Sequence, residues 1–383
     1  MRETFILLAL AAANSGIAMR MVEPMLPRLA TDFATPIPVV ASVITAFAFA
    51  QAAAQYFHGP LGDRYGKLRM VTILMALSAV SALGCVLAAD LESLIAWRFA
   101  TGLFASGSMV LGMAFLSDAV PAERRQPVLA RFVSGTIIGQ SLGPLVGGAV
   151  TDLAGWRASF VVLGAVFAAV AVVLFVRTRR RWDEAPRSPG PVLSPAVHLA
   201  VLRVPRARAV IVAVFLETVF FFGPFSFLSP MLKAKFDLPL SVIGILLAGF
   251  GLGGMVYIAV VRVLLARLGQ RGCVTVGGLL CGLFYLAVLV VPWWPLAMVC
   301  TVGVGFAFYM VHNTLQTRAA EMAPHARATG FSQFSMAWAA GQAVGVAAMG
   351  AGVTVVGYAW MIGSFALAFT ALALVLRVQL HRL

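Results

Sequence analysis

The sequence predicts an all-α membrane protein in which twelve transmembrane helices form two pseudo-symmetric six-helix bundles. Three observations carry this expectation: the composition, the spacing of the apolar runs, and a repeat between the halves. Of 383 residues, 61% are hydrophobic and only 11% charged, against roughly 45–50% and 25% in a soluble domain. A chain so poor in charge cannot cover several water-soluble cores. Apolar runs of about twenty residues, enough to cross a bilayer's hydrocarbon core, fall near 5–26, 37–58, 70–89, 93–116, 128–151, 158–176, 209–231, 240–262, 273–291, 294–316, 329–352 and 357–376. They consume most of the length, so function has to reside inside the helix bundle.

The first run continues past Gly16 to Leu26, and Glu3 stands beside Arg2, so it reads as a span and not as a cleaved signal. Of the 28 lysines and arginines, 22 fall at the termini or in even-numbered connections. Four (Arg28, Arg157, Lys233 and Lys235) fall on the opposite side, and Arg20 and Arg98 lie within spans. That asymmetry predicts cytoplasmic termini in an inner (plasma) membrane. It also accounts for the net charge of +14 through lipid headgroups, with no nucleic acid partner. The cysteines Cys85, Cys273, Cys281 and Cys300 show no paired-loop spacing, and the histidines show no i,i+4 pair, so no metal site is expected. The stretch Gly62 to Lys67 is one residue short of a phosphate-binding loop and ends in Leu68, which speaks against ATP.

Shifting the chain by 203 residues lays Pro27, Leu29 and Phe33 on Pro230, Leu232 and Phe236, and Arg64 and Gly66 on Arg267 and Gly269. A shift of 202 lays Gly139, Gln140 and Gly143 on Gly341, Gln342 and Gly345. The expected organisation is therefore a six-span unit (1–176), a basic cytoplasmic linker (177–208) and a second six-span unit (209–383). Within the linker, 194–208 is apolar on one side and basic on the other, a pattern for lying along the membrane surface, with a plain linker as the alternative. Parallel six-span repeats can expose a shared site alternately to either face by rocking.

Between spans two and three the chain reads Gly59-Pro60-Leu61-Gly62-Asp63-Arg64-Tyr65-Gly66-Lys67-Leu68-Arg69. This loop resembles the signature of the major facilitator superfamily. The resemblance extends over essentially the whole chain and implies a secondary transporter, not an enzyme, with no cofactor and a proton gradient as energy source. In that family the loop latches the outward-open state, which assigns Gly59, Gly62, Asp63, Arg64, Gly66, Lys67 and Arg69 to a latch received near Ala328 to Gly330. In span five, Gly135, Gly139, Gly143 and Gly147 recur every fourth residue, with Pro144 and Gly148 beside them. Such a face admits a neighbouring backbone. The string Gly139 to Gly148 also resembles the antiporter motif of the superfamily and so implies efflux.

Span four carries Trp97-Arg98-Phe99-Ala100-Thr101-Gly102, similar to the family's intramembrane arginine motif, with Thr101 where a glutamine-like residue is usual. A buried arginine needs a carboxylate, a carbonyl or a wet cavity. The acid at hand is Glu23, in a proline-rich stretch that resembles the end of span one in drug–proton antiporters, and Arg20 precedes it by three residues on the same helix face. An Arg20, Glu23 and Arg98 cluster is expected, with a fixed ion pair at the headgroup boundary as the alternative. Glu217 lies near mid-depth in span seven with no base in reach on its own helix, making it an independent proton-carrier candidate. Asn14, Gln140 and Tyr309 are expected among the residues of a central cavity. Tyr309, His312, Asn313 and Gln316 share a helical face, the last three toward the cytoplasmic end, and His312 reads as a hydrogen-bonded packing residue, with a proton relay as the alternative.

The function expected is proton-coupled antiport that exports small, partly apolar compounds from a monomer embedded in lipid. The alternatives are a proton symporter or facilitator importing a sugar or other nutrient and, from another class, a membrane receptor or intramembrane enzyme, which lacks any visible catalytic dyad. In a strain stripped of efflux pumps, Asp63→Asn should abolish the resistance that the intact chain confers. Normal resistance would remove the latch assignment.

Overall fold

The computed structural model describes residues 2–182, 195–323 and 327–380. Residues 183–194 of the predicted linker and the side chain of Ala328 lie outside that description. Among the described residues there are ten helical segments long and apolar enough to cross a membrane. The first seven are Glu3–Asp32, Ile37–Tyr65, Lys67–Val86, Leu91–Ala119, Arg131–Ala154, Trp156–Arg181 and Pro205–Phe236, here spans one to seven.

Two of the remaining segments are double. Leu240–Val290 holds 51 residues, about 75 Å of helix against a core of about 30 Å, and its helical course breaks at Gly269, where φ is 64°. On one side of the break Gly253 lies against Val302 and Phe306, and on the other Gly277 lies against Ala307 and Met310. Both parts therefore pack on the same stretch of Trp294–Glu321, so the chain doubles back at Gly269. Thr329–Gln379 breaks at Gly357, where φ is 81°, and Gly223 meets Gly345 from one part and Phe365 from the other. Spans eight (240–268), nine (270–290), ten (Trp294–Glu321), eleven (329–356) and twelve (358–379) complete the bundle. A positive φ is the reason for glycine at both turns, since a Cβ there would strain the backbone.

Inside each half the packing is set by glycines that bring backbones together. Gly135, Gly139, Gly143 and Gly147 of span five lie on Ala9, Ala13, Ile17 and Met21 of span one, a matched step of four residues on both helices. In the second half Gly341 and Gly345 of span eleven lie on Phe215 and Val219 of span seven. Each of these residues sits 202 positions after its first-half counterpart, so the repeat read in sequence is also a repeat of contacts.

The other side of span five faces the second half. Gly148 lies against Leu240 and Ser241 of span eight, and the Pro144 carbonyl lies against Gly244. The counterpart contact joins Gly350 of span eleven to Pro38 of span two. Both contacts lie at the end of the bundle opposite the chain termini, and they close it. Asp152 seals the closure, accepting from the backbone N–H of Leu240 at 3.2 Å and of Ser241 at 2.7 Å. A carboxylate there satisfies free amides and the positive end of the span-eight dipole.

The short helix Pro195–Arg203 crosses between the halves at the terminal side. Gln333 Nε2 of span eleven donates to the His198 carbonyl at 2.8 Å and lies 3.3 Å from His198 Nδ1. The imidazole rests 4.4 Å from the Tyr56 ring of span two. Burial holds His198 below its ordinary value of 6.5, favouring the neutral ring whose Nδ1 accepts from the amide.

Two outcomes follow from this packing. Gly139→Val puts a branched side chain into the backbone of span one and should lower stability by about 1–3 kcal/mol, read as a lower melting temperature in detergent. Gly59→Ala, with open space around it, should leave that temperature unchanged. Asp152→Ala should weaken closure by about 1 kcal/mol, a roughly fivefold shift in population toward forms open at that end, measured as faster labelling of a cysteine placed in the cavity.

Candidate functional site

Between the halves lies a cavity of about 1070 Å³. Span two contributes Gln51 and Gln55, span five Gln140, and span ten Tyr309, His312 and Asn313. Its mouth is marked by Asp63, Lys67, Asp118 and His198, all at the terminal side, while the opposite end is shut by the contacts of spans five and eight. The cavity therefore opens toward the side that carries the termini.

At the mouth, Lys67 Nζ lies 3.1 Å from Asp63 Oδ1 and also pairs with Asp118. Gly66 turns the chain from span two to span three with φ 93°, and Gly62 packs under Leu111 of span four. Arg64 and Arg69 stack over Tyr65 and Trp182, and Gly59 borders the opening. The predicted latch residues are thus held within the first half, and among the described residues the Asp63 carboxylate pairs with Lys67 and not with span eleven. The loop thus lies beside the cavity mouth without an ion pair to span eleven among the described residues.

At the closed end Arg20 and Glu23 form a fully buried ion pair. The Arg20 guanidinium lies 4.2 Å from the Phe222 ring centroid, 5.0 Å from Phe225 and 5.3 Å from Phe250, so span one's cation is seated in span seven and eight aromatics. Ser226 Oγ donates to Glu23 Oε1 at 3.4 Å. The expected three-residue cluster is not formed. Arg98 instead donates from Nη1 to the Ala18 carbonyl at 2.9 Å and stacks 4.3 Å from the Phe47 ring. Ala18 lies in the last turn of helix Arg2–Arg20, where carbonyls run out of in-helix donors, and it stands about a turn and a half short of Glu23 along the helix. The breaking of span one before Pro24 supplied Arg98 with a carbonyl before a carboxylate came within reach.

Glu217 does have a basic partner. Its Oε2 lies 2.9 Å from Nδ1 of His312 on span ten, whose ring stacks on Phe308 at 5.0 Å. Glu217 is fully buried, whereas His312 forms part of the cavity wall. His312 is hydrogen-bonded, as read from the sequence, but Glu217 was not foreseen as its partner. The available signal was depth: Glu217 is 12 residues from the start of span seven and His312 nine from the end of span ten, levels within about one helical turn of each other on the same side. Asn313 and Gln316 also line the cavity despite their position near the span end, and Asn313 Nδ2 donates to Tyr257 OH at 2.9 Å.

Gln140 and Tyr309 line the cavity, as expected, and Asn14 does not. Span one presents Ala12, Ser15, Gly16 and Met19 to it; Asn14 is two residues from both Ala12 and Gly16, which turns it about 160° away, and it is buried. Gly139, Gly143 and Gly147 face span one, while Pro144 and Gly148 face span eight, so the span-five motif lies at the junction of the halves and its glycines take no direct place in the wall.

A sequence model of the Major Facilitator Superfamily matches residues 8–346 and again 227–381. The chain belongs to that superfamily: it is a multi-pass membrane transporter of small molecules and not an enzyme. It is 25% identical over 335 residues to the uncharacterised MFS-type transporter YceJ of Bacillus subtilis (strain 168), covering 86% of this chain and 84% of that protein. It is 27% identical over 157 residues to the bicyclomycin resistance protein homolog of Haemophilus influenzae, 41% of this chain and 39% of that protein. With the efflux pump radE of Floropilus chiversii it shares 28% over 148 residues, 38% of this chain and 28% of the pump. The matched region thus spans less than half of either of these two proteins. The fold resembles that of a mutant of the peptide transporter POT, with TM-score 0.78 at 16% identity over 99% of this chain and 94% of that one. It also resembles a bacterial homolog of the human lysosomal transporter Spinster, with TM-score 0.70 at 17% identity over 98% and 95%.

Proposed function

We propose that this transporter exports small, partly apolar compounds in exchange for protons, working as a monomer in the inner membrane with both termini in the cytoplasm. The observation that carries the proton coupling is the Glu217–His312 pair, a carboxylate and an imidazole 2.9 Å apart, buried on one side and facing the cavity on the other. Such a pair holds a proton between two groups of adjustable affinity, and gaining or losing that proton changes the charge of a low-dielectric wall. The pair that holds the proton is net neutral and the pair that has lost it is one unit more negative, so the two favour different surroundings, and a cavity that alternates its opening supplies both in turn. Glu23, paired with Arg20 and cut off from the cavity in this state, serves in this reading as the tie between span one and span seven.

Substrate enters from the terminal side, where the cavity opens. Rocking of the halves breaks the Asp152 cap on span eight, opens the far end, and brings the signature loop against span eleven. A proton taken up there at the Glu217–His312 pair returns with the empty transporter. The basic excess on the terminal side supports the orientation. The direction of export draws on the span-five string and on the names of the two partial relatives.

The test is made in everted vesicles energised acid-inside, with a substrate selected from a resistance panel. Accumulation that collapses when the gradient is discharged is expected; depletion instead would favour proton-driven import of a nutrient. Glu217→Gln should abolish gradient-driven accumulation while gradient-free exchange of substrate persists, and undiminished accumulation would exclude the pair as proton carrier.

A further inference from the structure

The reading above leaves the substrate as small and partly apolar; the charges around the cavity narrow it. We infer that the cavity selects uncharged aromatic compounds carrying both hydrogen-bond donors and acceptors, and discriminates against organic cations. The inference takes the cavity as the substrate site and otherwise does not depend on proton coupling or on direction.

Among the described residues, the formal charges that line the cavity are Asp63, Lys67 and Asp118, and these pair with one another at its mouth. Deeper in the wall the titratable acids and bases reduce to His312, and its Nδ1 is engaged by Glu217. Neither intramembrane carboxylate is offered to a ligand, since Glu23 and Glu217 are both fully buried. A cation leaving water for this wall would find no carboxylate to replace its hydration.

Behind the wall, Glu217 is matched by His312 and Glu23 by Arg20, while one positive charge has no carboxylate beside it. Arg98 is fully buried and has no carboxylate partner; its bond is to the neutral Ala18 carbonyl. It stacks on Phe47, which lines the cavity, so one face of that ring already holds a cation. Phe308 is likewise occupied by the His312 imidazole, stacked at 5.0 Å with 11° between the planes. These two rings are poor seats for a second positive charge.

What the wall offers is neutral. The Gln51 and Gln140 amides, the Tyr309 hydroxyl and the Trp338 indole N–H line the cavity, and none makes a hydrogen bond to another described residue. None is among the buried unsatisfied groups either, so each is open to the cavity. The amides both donate and accept, the indole donates, and the hydroxyl does either. Gln51 and Gln140 come from the first half and Tyr309 and Trp338 from the second, which sets polar groups opposite aromatic faces across the opening. A planar ring with amide, lactam or hydroxyl substituents uses all of them, while an ion uses few. At about 1070 Å³ the space accommodates one such molecule of drug size.

Equilibrium binding to the full chain in lipid nanodiscs, without any gradient, tests this by calorimetry. The probes are chloramphenicol, an uncharged aromatic amide, and tetraphenylphosphonium, an apolar aromatic cation. Chloramphenicol is expected to bind at least roughly tenfold more tightly. Gln140→Leu and, on a different span, Gln51→Leu should each weaken chloramphenicol roughly tenfold at unchanged melting temperature. Gln140→Glu should narrow or reverse the preference by giving the cation a carboxylate. Equal or tighter binding of the cation to the unaltered chain, no binding of chloramphenicol, or full chloramphenicol affinity in both leucine variants with native melting temperature would overturn the inference. Intact binding with no gradient-driven transport would count against the coupling and leave this assignment standing.

Discussion

Everything in this bundle depends on how closely span five approaches two backbones at once. Between helices in lipid there is little hydrophobic gain, so association comes from close packing and from the few polar contacts that it permits. Gly135, Gly139, Gly143 and Gly147 supply the approach to span one, and Pro144 and Gly148 supply the approach to span eight. One face is a joint inside the first half; the other is a joint between halves. The Asp152 carboxylate on the first amides of span eight adds a polar contact to the second joint only. The division lets a single helix serve both as a member of the first half and as part of the seam between the halves.

The second constraint is that no charge can be left alone away from water. The chain resolves this in three local ways. Arg20 meets Glu23 and a nest of rings, Arg98 meets a carbonyl at a helix end, and Glu217 meets His312. Only the last touches the cavity, through His312. A charge sealed behind aromatic side chains ties elements together, whereas one shared with a cavity residue can respond to what enters.

Most of the architecture was legible in the chain because lipid imposes a long, simple pattern of apolar runs. The repeat was legible too, since Gly139 and Gly143 mark the same joint as Gly341 and Gly345. The site was legible less evenly. Gln140 and Tyr309 were found as polar residues in apolar runs, but Asn14 met the same criterion and points elsewhere, because composition carries no helix phase. Arg98 was matched to a carboxylate by charge, although the broken end of span one offers a carbonyl first. The Glu217–His312 contact joins residues 95 positions apart, and only the packing of spans seven and ten creates it. Pairings of this kind depend on level and rotation within a bundle, and a single sequence records level only approximately.

Glu23 and Ser226, which share a hydrogen bond at the closed end, are 203 positions apart, the offset that also lays Pro27 on Pro230 one turn further on. A residue that touches its own counterpart sits where the two copies face each other, and there duplication works against itself. An acid written identically into both copies would confront an acid. At such a place a hydroxyl donor serves where a second carboxylate would repel, and Ser226 supplies that donor to Glu23.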